Sequence, residues 1–411
     1  MKVLTLNRYD VKGGASRAAY RIHKALRTEG IDSRMLVNES LIHDETVEGP
    51  GSYSDKFIVK VRHALGELVT KILITESPVL HSPALLPSNW PNRINSSNAD
   101  IVHMHWINYE MLSVEDIARI KKPVVWTLHD MWPFCGAEHY AEDFRWREGY
   151  KSKNRPGYER GGDLNRWTWH RKIKTWQKPM HIVTPSNWLS DCAKNSLIMQ
   201  DWPICVIHNT IDTNFWCPLD KKFARQVLQL PQDVPLLSFG AVGGTVDQRK
   251  GFDLLKGALD LLRGEIPNLE LVIFGESTPK IPLDYGFPVH YSGHLQDDIS
   301  LIALYNAIDV LVIPSRQDNL PNTGVESLAC GTPVVAFNIC GLPDIVSHLT
   351  TGYLAKPFDK EDLAYGIKWV FEDSARYNQL SEKARETAVD KFSYKTIAKQ
   401  YRKIYASALY M

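Results

Sequence analysis

Pro314-Ser315-Arg316-Gln317-Asp318-Asn319-Leu320-Pro321-Asn322-Thr323-Gly324-Val325-Glu326-Ser327-Leu328-Ala329-Cys330-Gly331-Thr332-Pro333-Val334-Val335-Ala336 follows the apolar run Val310 to Ile313 and ends in a second run, Val334 to Phe337. Short Val/Ile-rich runs around a helical segment read as strand, turn, helix, strand, the repeating unit of a parallel sheet covered on both faces. Two carboxylates stand in this unit, Asp318 and Glu326, with seven residues between them. The turn offers backbone N–H groups and the helix adds the positive end of its dipole, so a diphosphate can rest there. Glu326, about one turn into the helix, can accept hydrogen bonds from both hydroxyls of a ribose, while Asp318 at the strand end can reach a sugar beyond the phosphates. Taken singly, Glu326 also reads as a first-turn acid complementing the dipole and Asp318 as an Asx-turn residue. Together they point to a sugar-nucleotide site.

Outward from this stretch the same rhythm recurs. Val3 to Leu6, Ile101 to Met104, Val124 to Leu128 and Ile182 to Thr184 form one series of apolar runs, and Leu236 to Gly240, Leu271 to Phe274, Val310 to Ile313 and Val334 to Phe337 form a second. The expected fold is therefore α/β, with two doubly wound Rossmann-like domains whose strand ends meet ligands in a central cleft. A chain of 411 residues is too long for one ordinary core. We expect the break near Asn209, in Val206-Ile207-His208-Asn209-Thr210-Ile211-Asp212, giving domains 1–208 and 209–392 and a last helical stretch 393–411.

Lys and Arg total 48 against 47 Asp and Glu, so no overall field marks nucleic acid or a membrane as partner. Six scattered cysteines with no C-x-x-C pair argue for reduced thiols and against zinc. The start, Met1-Lys2-Val3-Leu4-Thr5-Leu6, reads as a strand and not as the apolar core of a secretory signal, which predicts a cytoplasmic protein. Phe57, Val61, Leu65, Leu68 and Ile72 recur at three- and four-residue spacing. That is an amphipathic helix, expected to pack on the core, with a bilayer surface as the alternative.

Gly240-Ala241-Val242-Gly243-Gly244-Thr245-Val246-Asp247-Gln248-Arg249-Lys250-Gly251 follows a strand and opens a helix, so its glycines permit a tight turn and its basic pair can meet a pyrophosphate. Lys12-Gly13-Gly14-Ala15-Ser16-Arg17 lets the backbone approach a phosphate or sugar at another helix start. His129, in His129-Asp130-Met131-Trp132-Pro133, stands at a strand end. His103 and His105 alternate on a neighbouring strand; they can line an acceptor, but packing is the better reading, and no third ligand completes a metal site. Segment 145–178 interleaves Arg and Lys with Trp and Tyr. Such a mixture suits anionic headgroups or a lipid-linked diphosphate, and we rank membrane-surface or acceptor contact above nucleic acid or a solvated face.

The stretch 314–336 resembles the signature of family 4 glycosyltransferases, retaining enzymes of GT-B architecture in which an acid, seven residues, a Glu and a Gly-x-Pro-Val-Val run bind the donor. The first acid there is usually Glu; here it is Asp318. The phosphate loop is similar to G-R-x-x-x-x-K-G, with Lys250 in place, Thr245 at the Arg position and Arg249 as its substitute. Gly13 and Gly14 match a G-G-x-x-R opening, and Val206 to Asp212 resembles the inter-domain V-I-P-N-G-V-D. The resemblance implies that His129 touches the donor hexose near its 6-hydroxyl, and that His129, Asp318 and Lys250 are catalytic. It also implies that Gly13, Gly14, Arg249, Leu295, Leu320, Asn322, Thr323 and Glu326 bind the donor, and that helix 393–411 returns onto the first domain. The implied reaction moves a hexose from a nucleoside diphosphate sugar to a saccharide or lipid-linked oligosaccharide in polysaccharide biosynthesis, without metal or other cofactor. UDP-glucose or another UDP-hexose is favoured, with GDP-mannose as the alternative. The competing readings are a non-catalytic nucleotide-binding GT-B subunit and a sugar-nucleotide epimerase.

Overall fold

In the computed structural model, which describes residues 1–240, 247–277, 284–295 and 297–410, the two series of apolar runs become two separate parallel sheets. The chain divides into Met1–Thr210 with Ile397–Met411, and Ile211–Thr396. The sequence placed the break near Asn209; the division falls between Thr210 and Ile211.

In the first unit the strands are β1 (Lys2–Tyr9), β2 (Asp32–Glu39), β3 (Val47–Glu48), β4 (Leu73–Thr75), β5 (Ile101–Met104), β6 (Val124–Thr127), β7 (Glu159–Gly161), β8 (His181–Thr184) and β9 (Ile204–Val206). Seven form a sheet in the order β3-β2-β1-β5-β6-β8-β9, and β4 and β7 make a small antiparallel pair. The second unit orders β12 (Val289–Gly293), β11 (Glu270–Phe274), β10 (Leu236–Gly240), β13 (Val310–Ile313), β14 (Val334–Phe337) and β15 (Gly352–Ala355). Its side chains alternate between two cores. Leu311, Val334 and Ala336 pack with Leu304 and Leu328 on one face, while Val310, Val312, Val335 and Phe337 pack with Leu255 and Ile367 on the other. Burial on both faces explains why these strands read as unbroken apolar runs.

Strand order reverses at β1, which lies between β2 and β5, and at β10, which lies between β11 and β13. Ligands of open α/β sheets bind outside the carboxyl ends of strands at such switch points. Helix α1 (Gly14–Thr28) opens just after β1, and segment 314–326 leaves β13.

From Ile397, helix Tyr394–Leu409 belongs to the first unit. Its buried Tyr405 hydroxyl meets His103 Nδ1 at 2.7 Å, and the Tyr401 hydroxyl meets Thr127 Oγ1 at 2.9 Å. Helix α2 (Tyr53–Thr70) corrects an expectation. Only Gly66 is buried, so the apolar face predicted to join the core is exposed. No helix among the described residues is long and apolar enough to cross a membrane.

Candidate functional site

Each unit carries part of the predicted site. In the second, Asp247 caps the 3-10 turn Gln248–Lys250 through Arg249 N–H, and Gly251 ends it in the left-handed region at φ 66°. A Cβ at Gly251 would lie 1.9 Å from the Pro314 carbonyl oxygen, so glycine lets this turn press against the loop that leaves β13. Arg316 holds the two together. Its backbone N–H donates to Arg249 O at 2.7 Å, and its guanidinium donates to Gln248 O at 3.0 Å and to both oxygens of Asp253 at 2.6 Å. The consequence is a cation beside a carboxylate: Lys250 Nζ lies 2.7 Å from Asp318 Oδ2, to which the Ser315 hydroxyl also donates at 3.3 Å. Arg249 pairs with Asp247 at 2.7 Å.

Pro321 precedes helix Asn322–Ala329. Gly324 lets this helix sit close on the core, since an added Cβ would meet Ile313 and Ile345 side-chain atoms at 3.1 Å. Glu326 is 3% exposed, and its Oε2 accepts a hydrogen bond from the Tyr305 hydroxyl at 3.0 Å. A buried carboxylate needs such donors. Asn322 and Thr323 are half-buried in the first turn, whereas the Leu320 side chain is buried in the core and Leu295 is partly buried against it. For Leu320 that leaves the backbone as the group to meet a phosphate. Near Leu295, Gly275 N–H donates to Gly293 O at 2.8 Å. Gly243, Gly244 and Thr245 lie outside the described residues.

In the first unit, Gly13 (φ 86°) and Gly14 are exposed at the start of α1. His129 follows β6, and its Nε2 lies 3.0 Å from Nδ1 of the buried His105, whose Nε2 has no partner among the described residues. Burial lowers the His129 pKa to about 4 against the opposite pull of Asp130, so the imidazole is neutral near pH 7. Asp130 fixes the turn, accepting from Trp106 Nε1 at 2.8 Å, Trp132 N–H at 3.0 Å and His139 Nδ1 at 2.6 Å. His105 thus belongs beside His129, and His103 serves packing through Thr127 and Tyr405.

Much of segment 145–178 is spent internally. Trp146, Tyr150, Trp169 and Trp176 are core residues, and Arg145 pairs with Asp143 and Glu159. Lys172 is buried with its ammonium on the carbonyls of Trp132, Cys135 and Gly136. The interleaving of charge and Trp in that segment is therefore partly structural; Arg147, Lys151, Lys153, Tyr158, Arg160, Trp167, Lys174 and Lys178 remain exposed. A cavity of about 460 Å³ in this unit, lined by residues that include His63, Gly66, Tyr109, His81 and Glu110, had no sequence signal. Burial raises the Glu110 pKa although Leu85 and Leu86 N–H groups donate to the carboxylate. Among the described residues no three His, Cys, Asp or Glu side chains converge as a metal site. Tyr305, Arg316 and Asp130 are supporting groups that the sequence reading did not single out for a role.

Two parallel Rossmann-like sheets, one in each unit, are the architecture of the GT-B glycosyltransferases. The profile described as Glycosyltransferase Family 4 matches residues 12–215, and that described as Glycosyl transferases group 1 matches residues 220–387. The chain belongs to the family 4 glycosyltransferases. Among solved structures, sucrose-phosphate synthase from Thermosynechococcus elongatus superposes with a TM-score of 0.68 at 18% identity, over 99% of this chain and 100% of that one. The Anabaena protein HepE, in complex with UDP-glucose, superposes with a TM-score of 0.64 at 17% identity, over 99% and 100%. Glycogen synthase of Mycobacterium tuberculosis is 31% identical over 212 residues, 50% of this chain and 49% of the synthase. The match thus spans about half the length of that relative.

Proposed function

We propose that this protein is a retaining hexosyltransferase that takes a hexose from a nucleoside diphosphate sugar and passes it to a saccharide or lipid-linked oligosaccharide in polysaccharide biosynthesis, at the cytoplasmic face of a membrane. The observation that carries the reading is the docked turn that sets Lys250 Nζ 2.7 Å from Asp318 Oδ2, beside the helix that bears Glu326. Cation, carboxylate and helix dipole converge after the strand next to the switch point, where a departing diphosphate needs positive charge. Lys250 and Arg249 stabilise that leaving group together with the backbone N–H groups of Leu320, Asn322 and Thr323, and Gly13 and Gly14 admit the donor closely. Glu326 binds the ribose, Leu295 flanks the base, and Asp318 orients the hexose through its hydroxyls. His129, neutral at pH 7, is the first unit's hydroxyl-binding group. Fixed cations and dipoles of this kind give a route that calls for no divalent metal, and the leaving phosphate helps deprotonate the acceptor hydroxyl on the same face of the sugar.

UDP-glucose heads the donor candidates, supported by the UDP-glucose bound to HepE; GDP-mannose is the alternative. The test is nucleotide release and sugar products over a panel of UDP-hexoses and GDP-mannose. Transfer or slow hydrolysis is expected, an isomerised sugar nucleotide would mark an epimerase, and binding without turnover would mark a non-catalytic subunit. In the same assay Glu326→Gln and Lys250→Ala are each expected to lower kcat/KM by about 10² to 10³. Wild-type rates in either variant refute the assignment.

A further inference from the structure

Helix α2 is held to the protein by the side that carries Arg62, Gly66 and Val69, the last packed against Leu73, Ala137 and Leu164. Arg62 donates to Glu110 O at 2.8 and 3.0 Å, to Pro87 O at 2.7 Å and to Leu86 O at 2.6 Å. Gly66 rests on Glu110, where an added Cβ would come within 2.6 Å of its Cγ. A capping box between Ser52 and Asp55 starts the helix. The opposite face shows Phe57 at 67% exposure, Leu65 at 45% and Leu68 at 61%. Ordinary amphipathic helices of globular proteins turn that stripe inward. Beyond the helix the stripe continues into β4, where Ile74, 62% exposed, pairs with the exposed Arg160 of β7.

Basic side chains outnumber acidic ones on this face. Lys56, Lys60 and Lys71 are exposed, with no ion pair among the described residues. Of the acids on the helix, Asp55 is engaged in the cap and Glu67 faces His63 at 3.3 Å. A twofold contact with a second copy would bring like-charged lysine rims together. Anionic headgroups complement them while the acyl boundary takes the apolar stripe.

We propose that α2 and the β4–β7 pair form a docking surface for an anionic lipid bilayer, holding the protein where a lipid-borne acceptor is anchored. This rests on the acceptor half of the function proposed above. The test is co-sedimentation of the full chain with vesicles of phosphatidylcholine alone and of phosphatidylcholine with phosphatidylglycerol. Binding is expected to the second, to weaken with salt, and to fall about ten-fold or more in Phe57→Glu/Leu65→Glu/Leu68→Glu. Lys56→Gln/Lys60→Gln/Lys71→Gln should abolish the preference for phosphatidylglycerol. Thermal melts and nucleotide release without vesicles should stay unchanged, because these side chains are exposed. Absence of vesicle binding, equal binding by wild type and the glutamate variant, or an α2-dependent dimer without vesicle binding overturns the docking surface. Any of these with intact donor turnover leaves the transferase assignment standing, and loss of wild-type turnover with intact vesicle binding does the reverse.

Discussion

Helix Asn322–Ala329 buries six of its eight residues, and α2 buries one of its eighteen. Both show apolar residues at helical spacing, yet one is wedged between a strand and a neighbouring helix and the other is clamped by an arginine. Periodicity reports that a helix has a face; it does not report what lies opposite that face. The short helix therefore holds its groups rigidly enough to position Glu326, whereas the long one offers a surface.

This contrast can be broken by measurement. Leu328, fully buried in the short helix, should cost about 3 kcal/mol or more on Leu328→Ala, read by denaturant unfolding. A cost below about 1 kcal/mol would mean that the helix is not seated as described. Gly251→Ala combines a left-handed backbone with the contact to Pro314 O, and should cost about 2 to 3 kcal/mol. Because the turn must then lift from the loop, donor KM should rise along with the loss of stability, and an unchanged KM would separate Lys250 from the donor.

Acid should act on the first unit. Burial lowers the pKa of His23 to about 4, of His103 to about 3 and of His129 to about 4. These imidazoles stay neutral in the folded state while the unfolded chain takes up protons below about pH 6.5. Stability is thus intact above that pH and lost as pH falls towards the folded values, by on the order of 2 kcal/mol per imidazole at pH 5. His103→Gln should shallow the acid limb of a stability-against-pH curve; an identical limb would sink this account. The smallest effect belongs to α2, where Leu68→Ala should change stability by no more than about 0.5 kcal/mol. A loss like that of Leu328 would show that the stripe is covered in solution.

The strands buried on both faces were legible to within a residue, Val310–Ile313 and Val334–Phe337 among them, except that β1 runs to Tyr9, three residues past its expected end. Among those the sequence did not mark, β3, β9, β12 and β15 lie at sheet edges and β2 lies next to one. In β2, β3 and β12 polar residues interrupt the apolar run, and β9 and β15 are runs of only three and four residues. Lys250 and Asp318 were each marked in the sequence as candidate donor groups, but their pairing across 68 positions depends on how Gly251 and Arg316 dock one loop on the other. The internal partners of segment 145–178 were hidden for a related reason. The carbonyls that receive Lys172 and the carboxylates that receive Arg145 are supplied by distant turns and strands, so charge that looks solvated in a string is consumed inside.

The ammonium of Lys172, closed over by the carbonyls of Trp132, Cys135 and Gly136, makes that bend self-reporting. An acylating reagent reaches exposed lysines directly and Lys172 only after the bend lifts away, so the slow labelling of that one amine times how often the peptide just past His129 comes undone.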